Sequence, residues 1–164
     1  MPTNKASFEE IYKNHHTMVS QMCLGFVKGN TELANDLSQE VFIIIWNKLS
    51  TYEAKSSIKT WIYRITVNTC LQHIRKESKT KIYSISEKNE SKIEPSEEEN
   101  TDNNLGLYKA IGELREMDRL LIMMVLDDQN NDTIANVLGI KPSSIRVKIH
   151  RIKNRLKKIL TNGK

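Results

Sequence analysis

The stretch Ser84–Asn104, SISEKNESKIEPSEEENTDNN, interrupts every hydrophobic pattern in this chain. It holds almost no apolar side chains and is rich in Glu, Ser and Asn. Such a segment cannot bury enough surface to offset the entropy of ordering it. A flexible acidic linker is therefore expected over residues 80–104, with one domain near 6–79 and a second near 105–161. About twenty residues of coil span on the order of 25 Å root-mean-square, and more where like charges repel. A chain of 164 residues divided in this way makes two small domains with modest cores.

On both sides of the break the apolar spacing is helical, with no convincing strand alternation. Six glycines and three prolines in the whole chain suit helices better than a turn-rich β fold. The expected class is all-α. The longest apolar run, Val41–Trp46, is far short of the ~20 residues a membrane span needs. Met1–Glu9 carries no apolar stretch of the kind a secretory leader has. Cys23 and Cys70 are far apart and lack metal-ligand spacing, so they read as reduced thiols in a cytoplasmic protein.

Charge is distributed unevenly. Lys55–Ile82 holds seven Lys/Arg against one acid, and Gln129–Lys164 holds nine against one. Between them, Ile85–Asn104 holds seven acids against two bases. Two cationic segments flanking an acidic one fit phosphate backbones, although solvated helix faces would look the same.

Three helices carry the informative patterns. In Thr31–Leu49, Leu33, Leu37, Val41, Ile44, Ile45 and Leu49 share a face, yet Phe42 and Trp46 fall opposite, beside Gln39. Asp36, Glu40, Ile43 and Asn47 form a third strip. A helix apolar on more than one side needs cover on more than one side, from a neighbouring helix or from a partner. In Ser57–Lys76, Ile58, Trp61, Ile62, Ile65 and Thr69 form the buried side. Trp61, Arg64, Asn68 and Arg75 run along one flank. An aromatic beside arginines and an amide can hold single-stranded bases by stacking, hydrogen bonding and phosphate neutralisation. The same residues also fit a core tryptophan with solvated arginines.

The sharper signal is DTIANVLGIKPSSIRVKIHRIKNRLKKIL, Asp132–Leu160. A short helix, Thr133–Leu138, should meet Gly139 in a turn, and a second helix should begin near Pro142. Ala135, Gly139 and Ile145 supply the small residue, the turn glycine and the packing residue of a helix-turn-helix. Ile145, Ile149, Ile152, Leu156 and Ile159 stripe the inner face. Opposite lie Ser143, Val147, His150 and Asn154, flanked by Arg146 and Arg151. These are donors for base edges and cations for phosphates.

Catalytic signatures are missing. There is no phosphate-binding glycine loop, no HExxH and no CxxC; His15 and His16 are adjacent and make a poor metal pair; His73 and His150 stand alone. Neither an enzyme nor a cofactor is expected.

Taken together, these segments resemble a bacterial sigma factor of the extracytoplasmic-function type, in the sigma-70 family. DLSQEVFIIIW (Asp36–Trp46) resembles region 2.2 of that family, SIKTWIYRITVN (Ser57–Asn68) resembles region 2.3, and Asp118–Leu160 resembles region 4. The resemblance implies that Asp36, Gln39, Glu40, Ile43 and Trp46 bind core RNA polymerase at its β′ coiled coil, with the β flap as a further contact. It also implies that Trp61, Tyr63, Arg64, Asn68 and Arg75 bind and open the −10 element, and that the Ser50–Ser57 loop helps capture a flipped base. The −35 element would be read by Ser143, Ser144, Arg146, Val147, Lys148, His150 and Arg151, with Arg119 on phosphate. Promoter DNA, core polymerase and an anti-sigma regulator are the implied partners, with no membrane insertion.

Several positions depart from the family pattern. Arg115 stands where proline is usual, Thr133 replaces a glutamate, and Val147 replaces a common polar residue of the recognition helix. Lys141 occupies the place of a capping Ser or Thr, and TCLQHIRK after Asn68 lacks a frequent aspartate. A stand-alone helix-turn-helix regulator and a sigma-like module that binds an anti-sigma protein are the rival readings.

Overall fold

The computed structural model describes residues 4–84 and 104–162, and every regular element in them is helical. α1 spans Asn4–Phe26, α2 Thr31–Lys48 and α3 Ile58–Ser84, with a 3-10 turn at Leu49–Thr51 between the last two. In the second half, α4 spans Asn104–Gly112, α5 Glu116–Leu126, α6 Asn131–Leu138 and α7 Pro142–Asn162. Among the described residues no helix is long and apolar enough to cross a membrane.

Local chemistry sets where these helices begin. The α1–α2 turn passes through positive φ at Lys28 (63°) and Gly29 (83°). Asn30 then accepts the Leu33 N–H on its side chain at 3.1 Å. The α5–α6 turn repeats the device, with Asp128 at φ 58° and Asn130 accepting the Thr133 N–H at 2.8 Å. Ser57 Oγ accepts the Thr60 N–H at 3.1 Å at the head of α3. Each bond satisfies one of the amides that a helix start leaves without an intrahelical acceptor. α5 has no side-chain cap at Arg115, but Glu116 and Asp118 in its first turn meet the positive end of the helix dipole.

Gly139 ends α6 in the left-handed region, at φ 68° and ψ 31°. The following Ile140 N–H returns to the Ala135 carbonyl at 3.1 Å. A Cβ on Gly139 would meet no atom within 4 Å, so only its backbone conformation resists substitution. Gly139→Ala should therefore cost about 1–2 kcal/mol, read as a lower urea midpoint. An unchanged midpoint would show that the turn tolerates another conformation.

α1 is the shared central element: it packs on α2 and α3, and also on α4 and α5, while α3 meets α6. Buried side chains of both halves join in one contiguous cluster, from Val19 and Phe26 through Ile62 and Tyr63 to Leu120, Ile134 and Ile145. The fit is tight. A Cβ on Gly25 of α1 would lie 2.4 Å from Met123 Sδ of α5, and one on Gly112 of α4 would lie 2.7 Å from Lys28 Cγ. The two halves that the sequence separates are thus seated on each other.

Of the expected linker 80–104, residues 80–84 continue α3, and 85–103 lie outside the described residues. Extending an existing helix adds a hydrogen bond per residue without a new nucleus, so α3 outruns its apolar pattern. Cys23 and Cys70 are buried free thiols. The Cys70 thiol is held well above its ordinary pKa range, first by its hydrogen bond to Cys23 and then by burial.

Candidate docking and nucleic-acid surfaces

α2 turns Ala34, Leu37, Val41, Phe42 and Ile45 into the core. Asp36, Gln39, Glu40, Ile43 and Trp46 all lie on its exposed side. Ile43 is 60% exposed and Trp46 48%, which is unusual for large apolar residues in the middle of a helix packed on its other side. The doubt over what covers this helix resolves in two parts. Phe42 is covered internally: Tyr12 of α1 packs its ring edge-on at 4.7 Å, and Phe8 does so at 6.3 Å. Ile43 and Trp46 stay outside, and Phe8 stands at 5.1 Å from Trp46 in a T-shaped pair. Together they border a groove of ≈ 370 Å³ lined by Phe8, Tyr12, Ser38, Gln39, Phe42, Ile43 and Trp46. Phe8 and Tyr12 were not legible as part of this surface, because they lie on a different helix.

α3 is more deeply enclosed than its apolar stripe suggests. Between Ile62 and Cys70 only Arg64 and Asn68 escape burial. A second stripe, Tyr63, Val67 and Cys70 at spacings of four and three, is buried against the rest of the molecule. Thr66 and Thr69 are buried too, and their hydroxyls donate to the carbonyls of Ile62 and Ile65, each at 2.8 Å. Trp61 is half-buried, with Tyr52 tilted against it at 5.1 Å between ring centroids. The Ser50–Ser57 loop is fastened to this helix. The Tyr52 hydroxyl donates to the Ser56 carbonyl, and Arg64 Nη1 donates to Ser56 Oγ at 3.2 Å. Asn68 and Arg75 are exposed along the same flank.

Tyr63 differs from its companions in the expected −10 set. It has no exposed surface, and its hydroxyl donates to the Asp127 carboxylate in the α5–α6 turn. Burial, and then the Asp127 carboxylate, raise the phenol far above its ordinary pKa, so it stays protonated and a donor. Its stabilising contribution is full below the unfolded value near ~10 and is lost as pH rises beyond it. In this arrangement Tyr63 is a packing residue between the halves.

The outward side of α7 carries Ser143, Arg146, Val147, His150 and Arg151, all exposed; Ser144 and Lys148 are half-buried at its borders. Val147 is 51% exposed. Ile145, Ile152 and Leu156 are buried on the opposite face. His150 and Asn154 are paired at 3.2 Å through Nε2 and Nδ2. With Lys141 unable to cap by its side chain, the first turn of α7 closes through the Ser144 N–H to the Lys141 carbonyl at 2.9 Å.

Arg119 stands apart from this group. Its Nε donates to the Leu114 carbonyl at 2.8 Å, its Nη1 donates to the Phe26 carbonyl of α1 at 3.0 Å, and its guanidinium lies 5.8 Å over the Phe26 ring. Burial lowers its pKa, opposed by Glu116. Two further residues were not visible as participants. Asp127 also takes Lys59 at 3.3 Å, and Asn136 of α6 accepts a hydrogen bond from Arg64. Nothing in the sequence pattern links positions some sixty or seventy residues apart.

Residues 11–80 match the family described as sigma-70 region 2. RNA polymerase sigma factor YlaC of Bacillus subtilis is 26% identical over 98% of this chain and 96% of its own length. The ECF RNA polymerase sigma factor SigE of Mycolicibacterium smegmatis is also 26% identical, over 94% of this chain, which spans 62% of that longer protein. Among solved structures, the sigma factor RpoE of Bartonella quintana, in co-crystal with the anti-sigma factor NepR, has the same fold. Its TM-score is 0.79 at 21% identity, covering 94% of this chain and 97% of that one. The chain thus matches sigma-70 region 2 over residues 11–80, and along nearly its whole length it is similar to proteins named as RNA polymerase sigma factors.

Proposed function

We propose that the chain is an RNA polymerase sigma factor that binds core polymerase and directs promoter-specific initiation. It would do so by recognising −35 and −10 elements and helping to melt the DNA. The observation that carries this reading is the outer face of α2. Within the segment that matches region 2, an acidic and apolar surface around Ile43 and Trp46 is left uncovered by a helix buried on its other side. A stand-alone repressor has no use for that face. Asp36, Gln39, Glu40, Ile43 and Trp46 would meet the polymerase.

Trp61, Arg64, Asn68 and Arg75 would hold unpaired −10 bases and their phosphates, and Tyr63 would join them only if the halves part. The exposed side of α7 would enter the major groove of the −35 element, supported by nine Lys/Arg against one acid in Gln129–Lys164. Residues 6–79 then act as the polymerase and −10 unit, 105–161 as the −35 helix-turn-helix unit, and 80–104 as their tether. An anti-sigma protein is the expected regulator, as NepR is the co-crystal partner of the Bartonella protein. Bond-making chemistry belongs to the polymerase.

The direct test is transcription with purified core polymerase on fragmented DNA from the same genome, mapping 5′ ends. Discrete starts that share two upstream elements are expected. Trp61→Ala should lower their yield about tenfold, since loss of one base–aromatic stack costs roughly 1–3 kcal/mol. Tight duplex binding without transcripts would instead support the repressor.

A further inference from the structure

Val147, His150 and Asn154 add nothing to the core, since all three are exposed on the outward side of α7. We propose that α7 selects a T·A pair through Val147 and, beside it, a G·C pair through His150, with Asn154 as the positioning residue that holds the imidazole as a donor to guanine. This deepens the −35 role proposed for α7 and rests on it.

Packing fixes which side of the helix faces out. α4, α5 and α6 all contact α7, which buries Ile145, Ile152 and Leu156. At 100° per residue, Ser143, Val147, His150 and Asn154 fall within about 60° of one another, opposite that stripe. Arg146 and Lys153 border them on one side, Arg151 and Arg155 on the other, and all four are exposed. α7 contains no acidic residue. A neutral strip between two cationic rims suits a major groove: the rims reach the phosphates on either wall, and the strip meets the base edges.

Val147 has no folding reason to be where it is. A β-branched residue is a poorer helix former than the lysines and arginines around it, and this one is 51% exposed. Its methyl groups make no hydrogen bond, so they cannot read an amino or carbonyl group. The apolar feature on the floor of the major groove is the C5-methyl group of thymine. Covering one methyl-sized group is worth about fourfold in affinity.

His150 is constrained by its neighbour. Asn154 Nδ2 lies 3.2 Å from His150 Nε2. An amide nitrogen only donates, so Nε2 accepts and the ring proton sits on Nδ1. A free neutral imidazole could carry its proton on either nitrogen and offer a base a donor or an acceptor; the pair removes that choice. A ring that donates from Nδ1 suits guanine, which presents both N7 and O6 as acceptors, and is opposed by the N4 amino group of cytosine. Adenine sets an amino donor beside its N7, and thymine has a single acceptor. His150 follows Val147 by three residues, about 4.5 Å along the axis, against about 3.4 Å between base pairs. Residues at that spacing on a groove-bound helix meet successive bases, so the two selected pairs are neighbours.

The full-length chain, alone and with core polymerase, is offered a randomised duplex library, and the retained sites are sequenced. At least one arm should enrich a T·A pair beside a G·C pair. On that site, replacing the thymine by deoxyuridine removes only the methyl group; it should weaken the wild type about fourfold and Val147→Ala hardly at all. Exchanging G·C for C·G should cost the wild type about tenfold and Asn154→Ala no more than about threefold, with the deoxyuridine penalty of that variant intact. A merely structural role for Asn154 would weaken every site alike. Nitrogen-15 NMR of histidine-labelled protein, with His150→Gln supplying the assignment, should show the proton on Nδ1 in the wild type and shared between the two nitrogens in Asn154→Ala. A retained motif without this pair of base pairs, no motif in either arm, no deoxyuridine penalty, undiminished discrimination in Asn154→Ala, or a wild-type ring protonated on Nε2 would each overturn the proposal. Enrichment by the chain alone, with no binding to polymerase, would remove the sigma-factor reading and leave the base readout standing.

Discussion

Replacing Ile43 with glutamate is expected to weaken binding to core RNA polymerase about a hundredfold while leaving the melting temperature within a degree or two. Ile43 is 60% exposed, so its removal opens no cavity, and exposed substitutions of this kind usually stay within about 0.5 kcal/mol. Glutamate is also the better helix former. The effect on a docked partner is different. Ile43 borders the groove formed with Phe8, Phe42 and Trp46, where a partner side chain would be desolvated against aromatic rings. A carboxylate introduced there must lose its water without a cation to replace it, and it adds to the charge of Asp36 and Glu40 on the same face. A central, fully desolvated apolar anchor is worth roughly 2–4 kcal/mol in such interfaces. Titration of labelled core polymerase against both proteins, alongside thermal melts, separates the two effects. A change in Kd of less than threefold would mean that polymerase docks elsewhere.

The elements themselves were legible because each is announced locally. The α2 start at Asn30–Thr31, the Gly139 turn and the Pro142 start of α7 depend on residues within four positions of one another, and the structure has them at or within two residues of where spacing puts them. The exposed side of α7 follows from its stripe of isoleucines in the same way. The second buried side of α3 was not legible. Tyr63, Val67 and Cys70 repeat at helical spacing, but Tyr63 is amphipathic and sits in a motif that resembles a DNA-binding one, so pattern alone gives no ground for burying it. What buries it is Asp127 and the helices around it, 64 residues further on. The cover on Phe42 was similarly undecidable from α2, since it depends on how Phe8 and Tyr12 of α1 swing across. Local chemistry fixes helices; the seam between the halves depends on long-range fit, and its glycines look unremarkable in a linear reading.

That seam predicts how the chain melts. Phe26 is 2% exposed at the end of α1, with its ring beneath the Arg119 guanidinium and its carbonyl bonded to the same group. Phe26→Ala should remove about 3–5 kcal/mol, chiefly the lost apolar burial and the cavity left behind, with a smaller cation–π contribution. For a chain of this size that lowers the melting temperature by roughly 10 °C. The form of the transition discriminates more sharply than its position. Two independent domains joined by a coil would melt in two steps, and Phe26→Ala would shift only the one containing α1. A shared core instead unfolds as one unit, with calorimetric and van't Hoff enthalpies in agreement, and the substitution moves the whole transition. Differential scanning calorimetry of both proteins decides between them. Two resolved transitions, only one of them displaced, would mean that the halves do not share a core in solution. A single displaced transition would mean that whatever opens the chain must first offset the burial of α1 against α5.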